Sequence, residues 1–242
     1  MRFPDFIEKL AITIYLIGYS SQGESILFYI QTDKRIFFSG VIDCYAENNS
    51  NITINLCKEI GINTLDLLLW SHPDLDHSKG IENLLPLTNE STAILLPYGY
   101  SEHFETWEHV NPDMSNFLDA EIKKPCNVKN KACIRPVHRG VEIEHKQIRD
   151  LQGLFDSYSF SIKAFSPDTQ YIDHGSFSDI DIQHNDLAVG LWLTLGNASI
   201  IFASDVPNRH YGYLQNQPRL FVDYLKIPHH GSNSSCGILN YI

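Results

Sequence analysis

The chain has 242 residues and a formal net charge of −11, from 18 Lys and Arg against 29 Asp and Glu. Hydrophobic residues make up 43% and charged residues 19%, which suffices for a sizeable core and excludes a disordered chain. The acidic balance makes a broad basic nucleic-acid face a poor expectation, although bound metal ions can still attract phosphate.

The five cysteines, Cys44, Cys57, Cys126, Cys133 and Cys236, are odd in number. Their spacing fits neither a disulfide framework nor a zinc knuckle. They read as reduced thiols of a cytoplasmic protein. An apolar run over residues 10–18 follows Lys9, but it is short, has Asp5 and Glu8 ahead of it, and lacks a cleavage site. It reads as a buried first strand, not a leader. The longest apolar stretch, residues 187–203, is broken by Gly196-Asn197. It predicts a hairpin, and no membrane association is expected.

In chain order, residues 11–17, 25–30 and 35–42 read as strands, the third ending at Asp43. The Asn-rich stretch at 48–51 offers helix caps. Ile52, Leu56 and Ile60 recur at helical spacing, and Gly61 stops that helix. The continuous apolar run 65–70 predicts a buried central strand. It opens into His72-Pro73-Asp74-Leu75-Asp76-His77, after which Ile81, Leu84 and Leu85 suggest a second helix. Residues 100–156 are charged and weakly periodic, and read either as a cap or insertion or as an ordinary solvated connection. Strands return at 160–165, in the hairpin ending at Ser204-Asp205, and at 221–227, which runs into Pro228-His229-His230-Gly231. His103, His109, His138, His145, His174 and His210 read as solvated. Trp70, Trp107 and Trp192 read as packing residues.

Polar residues that bind metals stand at the ends of several predicted strands: Asp43, His72 to His77, Asp205 and His229-His230. Sites gather at such ends in layered folds because the loops converge there. Imidazole and carboxylate both ligate divalent first-row metals. Alternate residues of an extended segment share a face, so His72, Asp74 and Asp76 can point one way, with His77 joining at the turn. Four donors within six residues suit two neighbouring ions better than one.

These motifs, with Gln22-Gly23-Glu24-Ser25, Ile42-Asp43, Gly80 and Asn185-Asp186 in order along the chain, resemble those of the metallo-β-lactamase fold. The segment His72 to His77 looks like its HxHxDH signature with Asp74 in place of the second His. That change and the Pro228-His229-His230-Gly231-Ser232 ending are similar to the hydrolase domains of ComEC-type DNA-uptake proteins and their soluble relatives. The resemblance implies an α/β (α+β) fold, an αββα sandwich of two packed mixed β-sheets flanked by helices. It implies one domain over residues 1–242 with a cap at 100–156, and relatives continue past the equivalent of Gly231, so a C-terminal truncation is also expected.

The resemblance further implies two divalent metal ions, Zn2+ or Mn2+. His72 and Asp74 would hold the first, Asp76 and His77 the second. Asp205 would bridge them, and His230 would complete the second site. Asp76 and His229 are the expected catalytic residues, the latter contacting substrate, although His229 and His230 can exchange roles. His184 or Asn185 would supply the third-motif ligand. Asp43 would hold a ligand by hydrogen bonding. The implied activity is phosphodiester hydrolysis by a hydroxide bridging the ions, with single-stranded nucleic acid or a nucleotide as substrate. A hydrolase of small phosphoesters and a degenerate binding domain are the alternatives.

Overall fold

Residues 11–42 are rich in β-branched and aromatic side chains, and their pairing builds the first sheet. In the computed structural model, which describes residues 10–18, 23–32, 35–47, 50–99, 112, 116, 119, 120, 133–149, 157–177, 182–216 and 221–242, the chain forms two compact units. The first holds the described residues from 10 to 96 with 112, 116, 119, 120 and 133–136; the second holds 97–99 and those from 137 onward. Together they give an α+β fold with two mixed sheets, one belonging mainly to each unit.

In the first unit, β1 (Ala11–Gly18) pairs antiparallel with β2 (Glu24–Gln31), which pairs antiparallel with β3 (Ile36–Ile42). The pairing becomes parallel at β4 (Leu67–Leu69) and β5 (Ala93–Pro97), and β6 (Cys133–Val137) completes the order β1-β2-β3-β4-β5-β6. As predicted from its unbroken apolar run, β4 is central, and all three of its leucines are fully buried. The crossover from β3 to β4 carries α1 (Ile52–Ile60).

The side chain of Asn51 caps α1 by accepting from Ile54 N, and Gly61 ends it at φ 84°, a left-handed conformation. Thr53 and Cys57 point inward while Ile52 is 39% exposed, because Thr53 donates to Ser25 Oγ at 2.8 Å and sets the helix rotation.

The second predicted helix is also corrected. A single α-helical turn, α2 (Leu75–Ser78), is followed by a 3-10 segment, Ile81–Leu87. Pro86 lies inside that segment and supplies no backbone N–H. Ile81 and Leu84 are nonetheless buried.

The second unit contains a sheet ordered β11-β10-β9-β8-β7. It comprises β7 (Glu142–Arg149), β8 (Ser157–Ala164), β9 (Leu191–Leu195), β10 (Ala198–Phe202) and β11 (Tyr224–Lys226). All pair antiparallel except β10 with β11. The predicted Gly196-Asn197 hairpin joins β9 to β10, with Leu195 opposite Ala198. A helix, α3 (Thr169–Phe177), precedes β9. Phe165, Ile201, Val206, Tyr211 and Ile238 form a core cluster in this unit.

Within the segment 100–156, residues 133–149 include β6 and β7. Their charge masks the period of two in the sequence. Trp107, His103, His109 and Cys126 lie outside the described residues. Trp70 is fully buried, and half-buried Trp192 donates from Nε1 to Ser199 Oγ at 2.7 Å.

Candidate metal centre

The centre of the first unit is Asp43, one residue past β3. Its φ of 56° turns the chain sharply, and its backbone N donates to Leu69 O at 2.8 Å. The carboxylate is 1% exposed and accepts three hydrogen bonds. Ser71 N donates to Oδ1 at 2.7 Å, Ser71 Oγ to Oδ2 at 2.5 Å, and His77 Nδ1 to Oδ2 at 2.8 Å. Two backbone bonds, Cys44 N to His77 O at 3.0 Å and Ala46 N to Lys79 O at 2.6 Å, hold this segment against the ligand loop. Seven residues on from Ser71 in the same loop, Ser78 is also buried.

These contacts determine the tautomers of two buried histidines. The single hydroxyl proton of Ser71 goes to Asp43, so at 2.9 Å from His72 Nδ1 its oxygen accepts. His72 is therefore protonated at Nδ1. His77 is protonated at Nδ1 as well, because its partner there is a carboxylate. Both rings present an Nε2 lone pair, and their centroids are 4.2 Å apart. Metal-binding histidines characteristically donate their other ring N–H in this way.

The carboxylates expected beside these rings are there. Asp74 Oδ2 lies 3.7 Å from His72 Nε2, and Asp76 Oδ2 lies 3.8 Å from His77 Nε2. Donors bound at about 2.1 Å around a tetrahedral ion are about 3.4 Å apart. Each His–Asp pair is thus close to one edge of a coordination shell. The two side chains are 32% and 29% exposed, in contrast to the buried imidazoles, so the carboxylates form the rim. The ligand-type atoms of Asp43, His72 and His77 lie within 4.8 Å of one another. The two Nε2 atoms with the Asp74 and Asp76 carboxylates make a donor set that fits divalent metal, and Asp43 supports it from the Nδ1 side.

The second unit carries the remaining expected residues. Asp205 is 3% exposed and follows Ser204, whose φ of 45° turns the chain after β10. The neighbouring β11 leads into His229, His230 and Gly231, which have φ of 44°, 50° and 82°. Non-glycine residues rarely adopt such values, and His229 and His230 do so in succession before Gly231, which turns this segment sharply.

His229 N donates to Ser204 O at 3.1 Å, and its Nε2 is 3.8 Å from Asp205 Oδ2. His230 is exposed, and its ring centroid is 6.3 Å from that of His229. Asn208 braces the following residues, with its Nδ2 donating to Asn233 O at 2.8 Å and its Oδ1 accepting from Gly237 N at 2.6 Å. His184 and Asn185 open a 3-10 turn, His184–Leu187, and both are half-buried.

Beside that turn is a cluster that sequence reasoning missed. Asp186 is fully buried and accepts from Arg209 Nε, from His210 Nε2 at 3.1 Å and from Gln183 N at 2.9 Å. Burial alone would raise its pKa, but the His210 and Arg209 hydrogen bonds outweigh that and hold the carboxyl below its ordinary value. His210, expected to be solvated, is 3% exposed. The correction has a clear cause: the carboxylate that buries it lies 24 residues away, so no local pattern reveals it. The signal available in the sequence was Asp186 immediately before the apolar run that starts at Leu187.

No protein-family model and no curated protein matches the chain. Solved structures do. A diphosphatase of the PhnP family is similar at 13% identity and a TM-score of 0.43, over 90% of this chain and 73% of its own. CmlA, a diiron β-hydroxylase from Streptomyces venezuelae, is similar at 16% identity and a TM-score of 0.41, over 87% of this chain and 33% of its own. The flavodiiron core of Flv1 from Synechocystis is similar at 12% identity and a TM-score of 0.38, over 84% of this chain and 41% of its own. The chain thus spans about a third of the length of CmlA.

Proposed function

We propose that the chain is a metal-dependent hydrolase of the metallo-β-lactamase type, acting on phosphoric ester bonds. The observation that supports this best is the pair of buried imidazoles, His72 and His77, both set to present Nε2 by Asp43, one directly and one through Ser71. A single carboxylate orienting two rings beside two rim carboxylates is costly to bury unless the rings are put to use.

In this reading His72 with Asp74 and His77 with Asp76 hold two divalent ions. Asp205, His230 and either His184 or Asn185 complete the ligand set expected from the resemblance. Bound there, such ions supply a water that is nucleophilic near neutral pH and positive charge for a phosphoryl oxygen. The protein's own part is to hold the ligands in place, to keep Nδ1 of both rings protonated, and to offer Asp76 and His229 toward the substrate. Asp74, a harder donor than imidazole, tilts preference toward Mn2+ relative to an all-histidine site. We place the protein in the cytoplasm, consistent with free Cys44, Cys57, Cys133 and Cys236. Among the described residues no helix is long and apolar enough to cross a membrane.

The net charge of −11 favours short or single-stranded substrates over duplex nucleic acid. The test is hydrolysis of bis(4-nitrophenyl) phosphate and of a labelled single strand by Mn2+- or Zn2+-loaded protein. Turnover that a chelator abolishes and Asp76→Asn lowers is expected. Metal-loaded, folded protein that cleaves neither compound contradicts the reading.

A further inference from the structure

A cleft of about 760 Å3 opens in the first unit between α1 and the segment after the ligand loop. One wall is a single face of α1, formed by Asn51, Ile54, Asn55 and Lys58 at helical spacing. Seven residues of helix give that wall a length of about 10 Å. The other wall carries Lys79 and Asn83. Lys79 begins two residues after His77, so the cleft starts where the ligand loop ends.

The lining is polar and carries the opposite charge to the molecule. Lys58, Lys79, Asn55 and Asn83 are exposed. Neither lysine is in an ion pair with a carboxylate among the described residues, and Lys79 Nζ sits 5.4 Å over the ring of Tyr45. The acidic member, Glu82, is already engaged: Gly80 N donates to it at 3.1 Å and Asn83 Nδ2 at 2.9 Å. Asn51 is likewise used up, holding Ile54 N and Gly80 O. What remains for a ligand among the described lining residues is the two ammonium groups, one on each wall, with the exposed Asn55 amide beside Lys58 on α1. Apolar lining is limited to Ile54 and Ala46, too little to seat a hydrophobic ligand. With Lys58 and Lys79 set against Glu82, the described lining carries one net positive charge, which in a chain of net charge −11 favours anions.

We propose that this cleft binds phosphate groups of the substrate remote from the bond that is cut, with Lys58 and Lys79 as its charge contacts. The proposal rests on the phosphoester reading above and extends it: substrates carry more than one phosphate, as oligonucleotides and nucleotides with phosphate chains do. Among the described lining residues there is no aromatic stacking platform, so recognition is of phosphate and not of base.

The test uses fluorescence anisotropy of a short fluorescein-labelled oligothymidylate on the full chain, with thymidine monophosphate as competitor. Metal content is measured on every sample. Lys58→Glu is the main variant because Lys58 is exposed and lies outside the ligand loop. Lys163→Glu, on an exposed ion pair with Glu142 in the other unit, controls for net charge. Lys58→Glu is expected to weaken oligothymidylate binding about tenfold, and Lys58→Ala to lower the salt slope by about 0.7, the value of one phosphate contact on a single strand. Metal content stays at the wild-type level in both.

Effective competition by thymidine monophosphate supports a seat for one phosphate. Its failure beside tight oligothymidylate binding supports a seat for a chain. Wild-type affinity in Lys58→Glu, or equal weakening by Lys163→Glu, overturns the proposal, as does failure of the wild type to bind at low salt. Metal-replete protein with a silent Lys58 rejects the cleft alone. Lys58-dependent binding in protein that takes up no metal rejects the hydrolase reading and leaves the cleft standing.

Discussion

Replacing Asp43 by Asn tests the arrangement around the two histidines with little disturbance of the backbone. Asn tolerates the left-handed conformation that Asp43 adopts at φ 56° and has the same shape. One of the three hydrogen bonds survives, since an amide oxygen can still accept from Ser71 N. The other two meet an NH2 group where Oδ2 stood, facing Ser71 Oγ and His77 Nδ1. Two bonds to a charged acceptor are worth about 1.5–3 kcal/mol each, and two neutral replacements return about 1 kcal/mol each, so the net loss is about 1–4 kcal/mol.

The chemical consequence is larger. His77 must accept at Nδ1, so its proton moves to Nε2 and the lone pair facing Asp76 disappears. Loss of such a partner weakens metal binding by about 10–100-fold. Nitrogen-15 spectra of the histidines in metal-free protein report the tautomer directly, and competition with a chelating dye reports affinity. If His77 keeps its Nδ1 proton in Asp43→Asn and Zn2+ affinity is unchanged, the tautomer argument is wrong.

Four further outcomes follow from the structure. Ser71→Ala removes the link from Asp43 to His72 and is expected to lower Zn2+ affinity by about tenfold while His77 keeps its tautomer; Ser71→Thr restores it. Asp186 has a folded pKa below 3.8, so its pairing adds stability that is present above that pH and is lost as pH falls through the lowered value. Denaturant titrations of Asp186→Asn are therefore expected to be flatter with pH in that acid window, and a wild-type slope there would refute the pairing. At Gly80, φ is 109° and an added Cβ would lie 2.6 Å from Ala46 Cβ, so Gly80→Ala should cost about 1–3 kcal/mol in urea unfolding. Burial pushes the thiols of Cys44 and Cys57 up to about 12 and about 11, so mass spectrometry after mild alkylation at pH 8 should find both unmodified in native protein and Cys236 labelled.

The elements that the sequence revealed are those whose causes are local. The cap and stop of α1, the apolar run of β4 and the Gly196-Asn197 hairpin each depend on residues within a few positions of one another. The segment from His72 to His77 stood out for the same reason, because His72, Asp74, Asp76 and His77 lie within six residues, and the structure places each carboxylate beside an imidazole.

What stayed hidden depends on distant partners. Ser71 is an ordinary residue until Asp43, 28 positions earlier, is seen to take its proton. His210 looked solvated because its acceptor, Asp186, is remote in sequence. The spacing of Ile52, Leu56 and Ile60 gave the helix but not that Thr53 is buried on it, because its partner Ser25 lies 28 positions earlier. The segment after Gly80 kept its apolar pattern but not its helix type, since Pro86 withholds a backbone donor.

We propose that this chain holds divalent metal between imidazole and carboxylate donors. Elemental analysis of purified wild-type protein, beside His77→Ala and Asp205→Ala, tests it most directly. The account predicts about two ions per wild-type chain, with both lost or sharply reduced in Asp205→Ala and the second lost in His77→Ala. Wild-type protein that remains metal-free after incubation with Zn2+ or Mn2+, while folded, would contradict it.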